Sequence, residues 1–178
     1  MLKINFDDGY VTTFTKAYPI MRELGLKGIC YIIVNKIGKQ NFMSQSQLQK
    51  LVIEGWQIGS HTLNHPDLTA ISLDQAEYEI KNSKEALEEL GYQVDSFAYP
   101  FGRYNEDIIK IVKKYYKWAR ACYKNDGTQW TKTSHNLVHD FKKIDFSVTF
   151  PLVHSIDQPL YRSNIELYKF KELCQMLV

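Results

Sequence analysis

Residues 28–61 read GICYIIVNKIGKQNFMSQSQLQKLVIEGWQIGSH, and this stretch decides the fold class. Gly28 to Val34 is a short, unbroken run of apolar and β-branched residues, which predicts a buried strand. Ser44 followed three residues later by Gln47 is a capping-box signature, so a helix starts there. It runs to about Glu54, where Gly55 closes it. Trp56 to Ser60 predicts the next strand, ending at His61. Two strands with a helix between them call for a parallel pair joined by a crossover.

The same alternation continues in both directions. Leu2 to Phe6 alternates apolar and polar and meets Asp7-Asp8-Gly9, a strand running into a loop. Phe14, Ala17, Tyr18, Met21 and Leu24 keep helical spacing, with Gly25 as the stop and Pro19 as a kink or split. Further on, Ser72 with Gln75 opens a long helix ending at Gly91, whose Glu/Lys pattern marks a solvated outer face. Ser96 to Tyr99 predicts a fourth strand stopped by Pro100, and Asn105 caps a helix through Tyr116. Trp118 to Tyr123 predicts a fifth strand, Asn125-Asp126-Gly127 a turn, Phe146 to Val153 a late strand, and Ile165 to Leu177 a closing amphipathic helix. A complete eightfold barrel takes ~250 residues, or roughly 31 per unit, whereas this chain would offer about 22 per unit. The reading is therefore α/β: a smaller, distorted barrel or an open parallel sheet, with helices outside.

A chain of 178 residues fits one domain over residues 1–178. An apolar share of 44% and a charged share of 24% exclude disordered, collagenous and membrane-spanning classes. With 22 basic and 20 acidic residues the net charge is +2, too balanced for a chain whose main partner is nucleic acid. Cys30, Cys122 and Cys174 are too widely spaced for a disulfide framework or a thiolate zinc site, and read as small buried hydrophobes. No apolar run reaches the ~18 residues of a membrane span. The opening Met1-Leu2-Lys3-Ile4-Asn5-Phe6 is too short for a secretory signal. As it reads, the chain is expected in the cytoplasm, or in the cell envelope or outside the cell if a signal or anchor has been trimmed.

In parallel α/β folds ligands gather at the C-terminal ends of the strands. Asp7-Asp8 follows the first predicted strand, His61 and His65 the third, Pro100-Phe101-Gly102-Arg103 the fourth, and His154 a late one. Two imidazoles and a carboxylate make a common open site for a catalytic divalent metal, zinc being the first candidate. A second carboxylate beside them can take a proton from the attacking water. A second His-x₃-His pair, His135 and His139 followed by Asp140, has no second carboxylate pair and reads as a solvated loop.

These residues resemble a known family. Asn5-Phe6-Asp7-Asp8-Gly9 is similar to its first motif, Ser60-His61-Thr62-Leu63-Asn64-His65 to its second, and Phe97-Ala98-Tyr99-Pro100-Phe101-Gly102 to its third. The family is the NodB-homology polysaccharide deacetylases, carbohydrate esterase family four, and the likeness covers nearly the whole chain. The resemblance implies a distorted, incomplete (β/α) barrel. It implies one divalent metal, zinc first with cobalt or nickel as alternatives, held by Asp8, His61 and His65, with Asp7 as general base. It also implies a backbone N–H of Phe101 at the oxyanion. Tyr99, Pro100 and Arg103 complete the strip of chain expected to meet substrate. Leu152-Val153-His154 matches the late Leu-x-His motif, so His154 is the implied general acid. An amide nitrogen leaves poorly as an anion, so that acid matters more for an N-acetyl than for an O-acetyl substrate.

Two features depart from the family pattern. The commoner third motif carries a base-orienting arginine two residues before the proline, and here that position is Ala98. The branch resembling poly-β-1,6-N-acetylglucosamine de-N-acetylases shares this trait, and Arg103 is the candidate substitute. The tryptophan motif has no clean match, Trp130 being nearest. Tyr10, Tyr99, Phe101 and Tyr104 are candidates to stack on sugar rings or to pack. Lys110, Lys113, Lys114 and Lys117 read as a solvated helix face. The expected activity is removal of N-acetyl groups from an N-acetylglucosamine-containing glycan, with no nucleic-acid partner and the oligomeric state open. The alternatives are an O-acetyl esterase of xylan type and a non-catalytic glycan-binding relative, which the loss of the arginine at Ala98 keeps in play.

Overall fold

Short apolar runs become strands, and the capped amphipathic runs between them become helices. The computed structural model describes residues 4–121, 137–140, 152–153, 155–156, 164–165, 167–175 and 178. The strands are β1 (Ile4–Phe6), β2 (Gly28–Ile32), β3 (Gln57–Ser60), β4 (Ser96–Ala98), β5 (Trp118–Ala121), β6 (Leu137–Asp140) and β7 (Leu152–Val153). They form one sheet in the order β6-β5-β4-β3-β2-β1-β7. All neighbours are parallel except β6, which runs antiparallel to β5. Two further strands, β8 (Ser155–Ile156) and β9 (Asn164–Ile165), pair in parallel as a separate ribbon. The sheet curls into the distorted, incomplete (β/α) barrel that the family resemblance implies, one of the two forms the alternation leaves open.

The helices are α1 (Tyr18–Glu23), α2 (Gln45–Ile53), α3 (Leu73–Glu89), α4 (Glu106–Tyr115) and α5 (Leu167–Gln175). Both capping boxes form, Ser44 with Gln47 and Ser72 with Gln75, and Asn105 Oδ1 accepts from Ile108 N at 2.9 Å. Such caps are worth about 1 kcal/mol each. Pro19 does split its segment: a π-helical turn at Thr13–Ala17 precedes α1, whose first turn holds the proline. There its missing N–H costs no hydrogen bond. β2 is shorter than the apolar run predicts, because at Val34 the chain tightens into a 3₁₀ turn (Val34–Lys36). His139 and Asp140 lie in β6 rather than in a loop; β5 supplies the pairing edge that the short Leu-Val-His-Asp segment does not announce. The Asn125–Gly127 turn, His135, Trp130 and Cys122 lie outside the described residues.

Strand alternation divides the sheet into two faces. Ile4, Phe6, Cys30, Ile32 and Phe97 point into the main core with helix residues such as Met21, Leu48, Ile80 and Phe170. Ile29, Tyr31 and Ala98 form a second, smaller cluster, with Trp118 packed against it. Gly59 of β3 is required there: a Cβ on it would stand 2.5 Å from the Tyr31 ring. Among the described residues no helix is long and apolar enough to cross a membrane.

Candidate functional site

The loops after β1, β3 and β4 converge at the C-terminal edge of the sheet. Asp8, His61 and His65 each offer one ligand atom, and these atoms lie within 4.8 Å of one another. Asp8 Oδ1 stands 3.5 Å from Nε2 of both histidines, and the two Nε2 atoms are 3.1 Å apart. His61 Nδ1 lies 2.7 Å from the carbonyl oxygen of Ala98. A carbonyl can only accept, so Nδ1 carries the proton and Nε2 keeps its lone pair for a ligand. Burial lowers the His65 pKa, which favours the neutral ring as well. Burial pushes Asp8 up to about 6, and a hydrogen bond from Tyr10 pulls the other way.

The donor set fits a divalent cation. Among the described residues nothing donates a hydrogen bond to the buried Asp8 Oδ1, a costly arrangement for a carboxylate oxygen unless a cation meets it. One carboxylate and two neutral imidazoles with further positions open suit a catalytic zinc or a similar ion. Backbone strain gathers at the same place: Asp8, Thr62, His65 and Phe101 all have positive φ, of 67°, 69°, 65° and 57°. A non-glycine residue held there costs of order 1–3 kcal/mol. Strain of this kind is retained where it aims side chains.

Asp7 adjoins this cluster and is buried, 1% exposed. Its Oδ1 accepts from Nη2 of Arg120, which is itself fully buried at 0% exposure. The guanidinium also lies over the Tyr31 ring, 4.5 Å from its centroid. Arg120 belongs to β5, where it is paired in register with Ala98 of β4. The positive charge missing at Ala98 is thus supplied by the residue beside it on the next strand.

Arg103 does not take that role. Its side chain is 51% exposed and its guanidinium binds Asp67, because the turn after Phe101 carries it out to the rim. Tyr99 is 1% exposed, packed against Phe97 and Tyr104, and Pro100 is buried, so neither side chain offers a surface to a sugar. Tyr10 is likewise buried and stacked on Phe42. Phe101 is different: it is 53% exposed, with its ring 4.6 Å from that of His65. The lysines of α4 are exposed, with Lys110 on Asp107 and Lys114 on Glu77, as a solvated face should be. His154 lies outside the described residues; Val153 before it pairs with Phe6 of β1.

No motif in the sequence points to Arg120. Its signal was a lone cation flanked by alanines in an otherwise apolar strand, which a buried ion pair explains better than a surface does.

Comparison with known proteins agrees with this geometry. A sequence model of a family described as polysaccharide deacetylase matches residues 1–116. A poly-β-1,6-N-acetyl-D-glucosamine N-deacetylase of Staphylococcus epidermidis is 32% identical over 130 residues, covering 62% of this chain and 44% of that protein. The chain therefore spans less than half the length of that relative. The structure of a Streptococcus pyogenes deacetylase, PplD, in complex with acetate superposes with a TM-score of 0.61 at 30% identity, covering 63% of this chain and 51% of that one. A family 4 carbohydrate esterase from Streptomyces lividans, also with acetate, has a TM-score of 0.69 at 18% identity over 99% of this chain and 86% of its own. At that identity the likeness speaks for the fold.

Proposed function

The chain belongs to the polysaccharide deacetylase family, and from that premise we propose that it is a metal-dependent hydrolase removing N-acetyl groups from a glycan that contains N-acetylglucosamine. The observation that carries the reading is the cluster of Asp8, His61 and His65 with the buried Asp7–Arg120 pair beside it. A divalent cation in this cluster would supply a Lewis acid, making water acidic near neutral pH and polarising a carbonyl.

The chain's own residues do the rest. Asp7 accepts the proton of the attacking water, and a base placed in this way contributes about 10²–10⁴-fold. Arg120 holds that carboxylate in one orientation by a charge-assisted hydrogen bond and balances its charge. Ala98 O fixes the His61 tautomer. The backbone N–H of Phe101 is assigned to the developing oxyanion, and His154 to protonating the departing amine, both on the family resemblance. Such oxyanion donors are commonly worth about 10²–10³ in turnover.

The N-acetylglucosamine assignment rests on the Staphylococcus epidermidis relative and on the Ala-Tyr-Pro-Phe-Gly sequence at residues 98–102. The case for a non-catalytic relative rests on the missing arginine, and the buried Arg120 on Asp7 weighs against it. Acetate release from short β-1,6-linked N-acetylglucosamine oligomers and from acetylated xylan, measured with the same zinc-loaded protein, tests the assignment. The oligomers should react faster; turnover of xylan alone would make this an O-acetyl esterase.

A further inference from the structure

We propose that Glu79 is a positioning residue for the metal site: its buried carboxylate sets the geometry, and so the metal affinity, of the loop carrying His61 and His65. The inference rests on the reading of Asp8, His61 and His65 as metal ligands.

The two histidines are four residues apart, but they do not share a helix. The intervening chain is a loop with two left-handed residues, Thr62 at φ 69° and His65 at φ 65°. A β-branched threonine there is a genuine outlier, so the loop must be held from outside. From the β2 side, Val34 N and Asn35 N donate to the carbonyls of Thr62 and Leu63 at 3.2 and 3.0 Å. Thr62 Oγ1 accepts from His65 N at 2.8 Å. These contacts leave the N–H groups of Leu63 and Asn64 to be met from α3. Both donate to Glu79 Oε2 at 2.9 Å, and Asn64 Nδ2 donates to Glu79 Oε1 at 2.6 Å. Asn64 Oδ1 in turn accepts from Asn35 Nδ2 at 2.7 Å.

One carboxylate therefore takes three donors from the middle of the loop, between the two ligands. Glu79 is 9% exposed, and it sits on the face of α3 that also buries Ala76, Ile80, Ser83 and Leu87. An acid on that face brings no packing advantage over a leucine, and its burial is costly unless the donors repay it. The donors it meets are those of the ligand loop. Hydrogen bonds to a charged acceptor are roughly twice as strong as neutral ones, which suits a loop that must keep two strained residues. Without Glu79 the peptide planes at Leu63 and Asn64 keep only their carbonyl contacts to Val34 and Asn35, their N–H edges lose their acceptor, and the 3.1 Å approach of the two Nε2 atoms is held from one side alone.

The test uses the full chain, with zinc affinity read by chelator competition and ligand geometry by the absorption spectrum of the cobalt-loaded protein. Glu79→Ala should bind zinc about 10–100-fold more weakly, the usual loss when a supporting partner of a ligand is removed, and its cobalt spectrum should change. Glu79→Gln keeps the size and one acceptor oxygen; it should lose about tenfold, the lower end of that range, and it decides the matter if the alanine variant does not fold. Ile80→Val, the neighbouring core position on α3 at 0% exposure, should lower thermal stability and leave zinc affinity and the cobalt spectrum unchanged. Unchanged affinity and spectrum in the Glu79 variants, or an equal loss in Ile80→Val, overturns the proposal. His61→Ala separates the two readings. If it binds zinc as the unaltered chain does, the ligand assignment fails; if it loses zinc while the Glu79 variants do not, only the role of Glu79 fails.

Discussion

Replacing Arg120 by methionine tests the centre of the site and the sheet that builds it. Arg120 and Asp7 are 0% and 1% exposed, so removing the guanidinium leaves a carboxylate buried with its main counter-charge gone. Breaking a buried pair from one side costs about 3–5 kcal/mol. For a chain of this size 1 kcal/mol moves Tm by roughly 2–4 °C, so the loss is about 6–20 °C. The control is Arg103→Ala. That arginine is 51% exposed on its ion pair with Asp67, and an exposed pair is worth at most about 1 kcal/mol. Asp7→Asn alone should also be costly, since it leaves a buried guanidinium facing an amide. The double variant removes both charges, so its loss should fall well short of the sum of the two single losses. Neighbours of this kind couple by up to about 3 kcal/mol.

Urea denaturation of the four proteins, with the slope checked for constancy, gives the cycle. Turnover gives a second reading of it. If Arg120 acts through Asp7, then Arg120→Met on top of Asp7→Asn should cost little further activity, because groups that work as a unit are not additive. Strictly additive losses of stability, or equal costs for Arg120→Met and Arg103→Ala, would refute the buried-pair argument.

Two more outcomes follow from the same site. Asp7→Asn should retain the metal, because Asp7 is outside the three-ligand cluster, yet turn over about 10²–10⁴-fold more slowly; metal content measured beside turnover checks it. His154→Ala should depress cleavage of N-acetylglucosamine oligomers far more than cleavage of an activated aryl acetate, whose leaving group needs no proton; equal losses on both substrates would remove the general-acid role.

The parts of this molecule legible in its sequence are those fixed by neighbours in the chain. Ser44 with Gln47 and Ser72 with Gln75 act across three residues, and Asp8, His61 and His65 stand at the ends of strands whose direction follows from the alternation. Glu79 was hidden among the charges of α3 although its position was informative. It lies three residues from Ala76 and four from Ser83, on the stripe that also carries Ile80 and Leu87, where a solvated glutamate has no place. Arg120 was harder, because it is 113 residues from the carboxylate it serves. No local pattern ties the two together, and Arg103, five residues after Ala98, is the nearer cation in sequence. The register of β4 on β5 settles the choice, since Ala98 and Arg120 are paired neighbours on parallel strands and so direct their side chains to the same face. Ala98, which departs from the commoner third motif, and the arginine alone in an apolar strand are therefore neighbours across the sheet, and the guanidinium reaches Asp7 from the adjacent strand. Sheet geometry makes that approach available wherever a buried cation must reach a fixed carboxylate, because adjacent strands lie only about 4.8 Å apart and an arginine side chain is long enough to span the offset.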